Sequence, residues 1–73
     1  MIARVREWRD EEGWGIAESD ELSEGVWVHF SAVVMEGWTS LKQGQSVEIE
    51  VQDLFPHTQD GYRYRATYAR PIE

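Results

Sequence analysis

The chain has 73 residues, no cysteine and a formal net charge of -7. A folded chain of this size buries only about 60% of the surface its unfolded form exposes, so one modest core and a single domain over residues 1–73 are expected. Disulfides, thiolate zinc sites and cysteine nucleophiles are excluded, and the longest apolar run, Ala32 to Met35, falls far short of the roughly 20 residues that span a bilayer.

Arg4 and Arg6 stand near the start with no apolar stretch behind them, so no signal peptide is expected and the protein is read as cytoplasmic. Ile2 to Trp8 reads as a first strand, followed by a charged turn from Arg9 to Glu12. Gly13 to Ser19 is a second strand, bounded by the acidic loop Asp20 to Glu24. Gly25 to Phe30 is rich in β-branched and aromatic residues and reads as a third. A helical turn is expected at Ala32 to Val34, with Ser31 as its N-cap. Val47, Ile49 and Val51 alternate with Ser46, Glu48, Glu50 and Gln52, which predicts a half-buried fourth strand with one wet face. Leu54 to Gly61, holding Pro56 and the Asp60-Gly61 pair, is a loop. Tyr62 to Ala69 is a fifth strand, and Pro71 marks its end because proline cannot extend a ladder. An open sheet of such strands would leave two unprotected edges, and closure into a small barrel removes them.

Alternation then assigns faces. Val5, Ala17, Val26, Val28, Val47, Ile49, Val51 and Ala66 suit a barrel interior, and Tyr64 and Tyr68 share the parity of Ala66 and help close it. Trp14, Ile16, Trp27 and His29 fall outside, side by side if the second and third strands pair; Trp8 joins them with Arg4 and Arg6. An exposed aromatic platform marks a binding surface. Flat rings beside arginines suit unstacked bases, at about 1–3 kcal/mol per stacked base; the same rings suit sugars or an apolar peptide. The charge opposes a polyanion, with seven basic residues against fourteen acidic, but Arg4, Arg6 and Arg9 gather at one edge. No catalytic constellation or cofactor motif is present, and His29 and His57 lack the spacing of a metal site.

At these residues the sequence resembles the cold-shock domain family. Glu12-Gly13-Trp14-Gly15-Ile16-Ala17 stands where the family has Lys-Gly-Phe-Gly-Phe-Ile, and Val26-Trp27-Val28-His29-Phe30 where it has Val-Phe-Val-His-Phe. Arg4 to Trp8 corresponds to its opening Lys-Val-Lys-Trp-Phe, Gly37-Trp38 to a Gly-Phe, and Leu41 with Gly44-Gln45 to Leu-x-x-Gly-Gln. The resemblance implies an all-β, five-stranded antiparallel Greek-key barrel, the OB-fold, that binds single-stranded DNA or RNA without catalysis. It implies no metal, cofactor, small-molecule substrate or membrane partner, and a monomer acting as an RNA chaperone or as a transcription or translation modulator. The binding residues carried over by position are Arg6, Trp8, Trp14, Ile16, Trp27, His29, Phe30 and Trp38. Glu7 takes the slot of a stacking tryptophan, where a bulge could let Trp8 serve; Glu12 replaces a phosphate-facing lysine and Ile16 a stacking phenylalanine. A barrel of this type turned to protein interaction is the alternative reading, with a carbohydrate-stacking module behind it.

Overall fold

The computed structural model describes residues 1–35 and 40–72. Five strands, β1 (Ile2–Arg9), β2 (Trp14–Glu18), β3 (Val26–His29), β4 (Ser46–Asp53) and β5 (Tyr64–Pro71), form a closed barrel in the order β1-β2-β3-β5-β4. Pairing is antiparallel except between β3 and β5, which run parallel over Val26–Tyr64 and Trp27–Arg65. A parallel neighbour requires a long crossover, and here everything from Phe30 to Arg63, β4 included, supplies it.

The interior is filled as the alternation predicts except at Tyr68: a register shift between Glu50 and Val51 pairs Tyr68 with outward Glu50 and puts Ala69 in the core instead. Val5, Ala17, Val26, Val28, Val47, Ile49 and Ala66 are buried, joined by Ala3, Val33, Leu41 and Ala69, while Val51 and Tyr64 pack against them half-buried. Each fully buried valine or isoleucine contributes about 1.5–3 kcal/mol relative to exposure. Gly15 lies in the inner row of β2, where a Cβ would fall 2.5 Å from Cε3 of Trp8, so only glycine lets that indole lie across the strand.

Two local expectations are corrected and a third is refined. The last strand begins later and runs through Pro71, which pairs with Val47. Proline is tolerated there because Ile72, one residue on, supplies the N–H that donates to the Ser46 carbonyl at 3.0 Å. The helical turn is a 3-10 helix at Phe30–Ala32, capped by His29 instead of Ser31: the His29 ring accepts from the Ser31 N–H at 3.2 Å. Asp60-Gly61, expected only as loop, closes a tight hairpin in which Gln59 and Tyr62 exchange backbone hydrogen bonds of 2.8 Å. Both central residues have positive φ, 51° and 86°, the requirement that makes Asp-Gly a favoured hairpin pair.

Candidate nucleic-acid interface

Cross-strand partners share a side of the sheet, so the register sorts the outward side chains into rows. One row runs Arg9, Trp14, His29 across β1, β2 and β3; the next runs Glu7, Ile16, Trp27, Arg65 and reaches β5. The rings are contiguous. Trp14 and Trp27 lie 6.3 Å apart between centroids, Trp27 and His29 5.6 Å, and His29 and Phe30 4.5 Å. The juxtaposition expected for Trp14, Ile16, Trp27 and His29 is present, and Phe30 extends it.

Exposure along these rows is uneven, which corrects the expectation that all four are open. Ile16 is on the outer side and absent from the interior cluster, yet only 1% exposed. A Cβ placed on Gly25 would sit 3.0 Å from Ile16 Cγ2 and 3.3 Å from both Arg6 Nη2 and Tyr62 Cε1, so Ile16, the Arg6 guanidinium and the Tyr62 ring converge on this glycine. Trp27 is held between Trp14 and His29 and is 9% exposed, its Nε1 without a hydrogen-bond partner among the described residues. Trp14 and His29 are half-buried, and Phe30 is 46% exposed. Trp14, His29 and Phe30 are therefore the accessible rings of this row, and Trp27 is the covered one.

The register of β1 against β2 shifts between Val5 and Glu7. A bulge of this kind leaves one residue unpaired and changes which side its successors face. After it, Glu7 pairs with Ile16 on the outer side, while Trp8 pairs with Gly15 in the row of buried Val28. The bulge thus acts opposite to the expectation: it turns Trp8 toward the barrel mouth, where it packs against the core. There Trp8 and Phe30 line a cavity of about 350 Å³ shared with Asp10, Glu11 and Glu12, and the Trp8 indole N–H donates to Asp10 Oδ1 at 2.8 Å.

Charge is locally compensated across this surface. Arg6 Nη1 donates to Glu18 at 2.7 Å and Nη2 to the Tyr62 hydroxyl at 3.2 Å; the bond to Glu18, ahead of the weaker influence of Tyr62, holds the guanidinium above its ordinary pKa. Arg9 lies over the Trp14 ring, 4.9 Å from its centroid, with Glu7 at 3.4 Å and Glu12 at 3.5 Å. Of the basic edge expected from Arg4, Arg6 and Arg9, Arg6 and Arg9 are therefore paired with the chain's own carboxylates, while Arg4 forms no ion pair among the described residues. Sequence reasoning missed Tyr62, which nothing local marks as the partner of an arginine 56 positions away. It also missed Arg65, which the parallel register places beside Trp27.

His29 does two things. Its Nδ1 accepts from the Ser31 N–H and lies 2.7 Å from Ser31 Oγ, and this network assigns the proton of the neutral ring to Nε2. The ring is thereby fixed in orientation with a donor directed away from its own backbone. Trp38 lies outside the described residues. Among those residues no three His, Asp or Glu side chains gather where a metal ion could be held, and no helix is long and apolar enough to cross a membrane.

Comparison with known proteins agrees with this geometry. Residues 1–61 match the model of the 'Cold-shock' DNA-binding domain. The chain is 42% identical over 53 residues to a cold shock-like protein of Thermotoga maritima, covering 73% of this chain and 79% of that one. It is 40% identical over 53 residues to the cold shock-like protein CspC of Bacillus cereus, covering 73% and 80%. It is 38% identical over 50 residues to CspC of Escherichia coli, covering 68% and 72%. A closed five-stranded barrel with rings ranked on its β2–β3 face, a matching domain and relatives of nearly the same length lead to one assignment: the chain belongs to the cold-shock family, non-enzymatic proteins that bind single-stranded nucleic acid.

Proposed function

We propose that this protein, acting as a single domain over residues 1–73, binds single-stranded RNA or pyrimidine-rich DNA by stacking bases on an outward aromatic platform. In the cell it would serve as a cytoplasmic, monomeric RNA chaperone or modulator of transcription and translation. The observation that carries the reading is the unbroken contact of Trp14, Trp27, His29 and Phe30 along β2 and β3. Every base has a π-face, so such a platform accepts any sequence at about 1–3 kcal/mol per stacked base. With Arg6 and Arg9 engaged by Glu18, Glu7 and Glu12, stacking supplies most of the affinity and phosphate contacts the smaller part.

Those engaged arginines favour a second reading, a cold-shock barrel whose platform docks a protein. One titration separates the two. Tryptophan fluorescence is followed on addition of a heptameric oligo-dT, a mixed-sequence RNA and, as control, an oligosaccharide. Saturable quenching by both nucleic acids but not by the sugar supports the proposal. No response to either nucleic acid from a folded barrel would transfer it to the protein-binding alternative.

A further inference from the structure

The row Glu7, Ile16, Trp27, Arg65 has two unlike ends. At the β1 end stand a carboxylate, a covered isoleucine and a guanidinium already bonded to Glu18. At the β5 end stands Arg65, which donates from Nη2 to the neutral amide oxygen of Gln52 at 2.5 Å and forms no ion pair among the described residues. Arg6, Arg9, Arg63 and Arg70 all do, with Glu18, Glu7 and Glu12, Asp53, and Glu48; Arg4 also forms none, but it lies on β1 beyond the ring rows, where its cross-strand partners are Glu18 and Ser46. A guanidinium carries five N–H donors in a planar fork, so Arg65, steadied by Gln52, keeps both uncompensated charge and spare donors.

Arg65 also lines a cavity of about 520 Å³, together with Trp27, His29, Ser31, Gln59 and Thr67. The cavity opens beside the ring platform and is walled by hydroxyls, an amide and a cation, with no carboxylate on its lining. That donor set suits an anionic oxygen ligand, and arginine matches phosphate geometry bidentately. The Trp27 ring borders the same cavity and joins it to the platform.

We infer that the β3–β5 seam holds a phosphate subsite centred on Arg65, which draws the oligonucleotide from the rings of β2 and β3 onto β5 and away from the acidic β1 end. The inference rests on the single-strand reading proposed above. Gln59 and Thr67 are the neutral donors of the subsite, and Gln52 is the positioning residue that aims the guanidinium.

The test is the salt dependence of oligo-dT heptamer binding, read by tryptophan fluorescence, for wild type, Arg65→Gln, Arg65→Lys, Arg70→Gln and Trp14→Ala. Circular dichroism confirms that each barrel is folded. Arg70→Gln removes the same charge from a site paired with Glu48. One phosphate contact contributes roughly -0.7 to the slope of log K against log salt for a single strand. Arg65→Gln is expected to flatten the slope by about that amount and to weaken binding about fivefold to tenfold at low salt. Arg65→Lys should keep the slope, and Arg70→Gln should match wild type in both. If Trp14→Ala weakens binding while Arg65→Gln behaves like Arg70→Gln, the subsite is overturned and the stacking reading stands. If wild type fails to bind the oligonucleotide, the single-strand reading falls and the subsite falls with it.

Discussion

The two walls of this barrel solve the problem of an outward face in different ways. On the β4–β5 wall, the outward side chains are cross-strand charge pairs: Glu48 with Arg70 at 2.8 Å, and Asp53 with Arg63, whose two bonds of 2.8 and 2.9 Å make a fork-to-fork contact. Phe55, 71% exposed in the loop beyond, is roofed by the same Arg63, 5.0 Å from its centroid. On the β2–β3 wall, by contrast, Trp14, Trp27, His29 and Phe30 are ranked against one another. Charge pairs close a surface to ligands, because each partner already has its counter-ion. Ring edges and faces leave it open, since stacking has no valence to satisfy. On an acidic chain whose Arg6, Arg9, Arg63 and Arg70 are paired, the ring wall is the larger surface left open to a ligand.

The largest effect that sharpens this contrast is expected at Trp27. It is the inner layer of the platform and nearly buried, so Trp27→Ala should cost about 3 kcal/mol of stability through the cavity it leaves and weaken binding as well. Trp14→Ala should weaken oligonucleotide binding by about 1–3 kcal/mol with little change in thermal unfolding, since that ring is more open. Equal loss of stability in both variants would erase the distinction between a covered and a presented ring.

Glu12→Lys comes next. It removes one of the two carboxylates facing Arg9 and reverses a charge at the rim of the cavity under Trp8 and Phe30. Single-strand binding should tighten several-fold at low salt, by about 1 kcal/mol or less at so exposed a site, and the gain should shrink as salt rises. Absence of any gain at low salt would mean that the strand does not pass this corner.

The smallest effect concerns the charge-paired wall. Arg63, by its side-chain bond first and the Phe55 N–H second, holds the Asp53 carboxyl at about 2, below its ordinary 3.8. A carboxyl depressed on folding stabilises the folded state above its unfolded pKa and loses that contribution as pH falls through the folded one. Stability should therefore decline between about pH 4 and pH 2 partly through this group, and Asp53→Asn should flatten that decline in urea midpoints taken at several pH values. Oligonucleotide binding near neutral pH should be unchanged, because Asp53 lies on the other wall.

Much of the barrel was readable in one dimension. The period of two in Val47, Ile49 and Val51 sets the inner face of β4, and the Gly-Trp-Gly-Ile and Val-Trp-Val-His runs place the rings on one side of β2 and β3. Such signals are local and survive without knowledge of partners. The β1 bulge was not readable in its consequence: parity counted from Val5 puts Trp8 outside, and one unpaired residue reverses it. Nor was the bond between Arg6 and Tyr62, because Tyr62 reaches Arg6 only once β5 is brought alongside β3. The neutralisation of Arg6 by Glu18 and the isolation of Arg65 are likewise properties of cross-strand neighbours, which composition and spacing do not encode.

The claim that stacking outweighs charge on the β2–β3 wall is tested most directly by the salt dependence of oligo-dT binding to the unmodified protein. With about two phosphates neutralised, log K should fall against log salt with a slope near -1.4, and substantial affinity should persist at high salt. A slope several-fold steeper, with binding abolished at high salt, would show that charge holds the strand and would contradict the account.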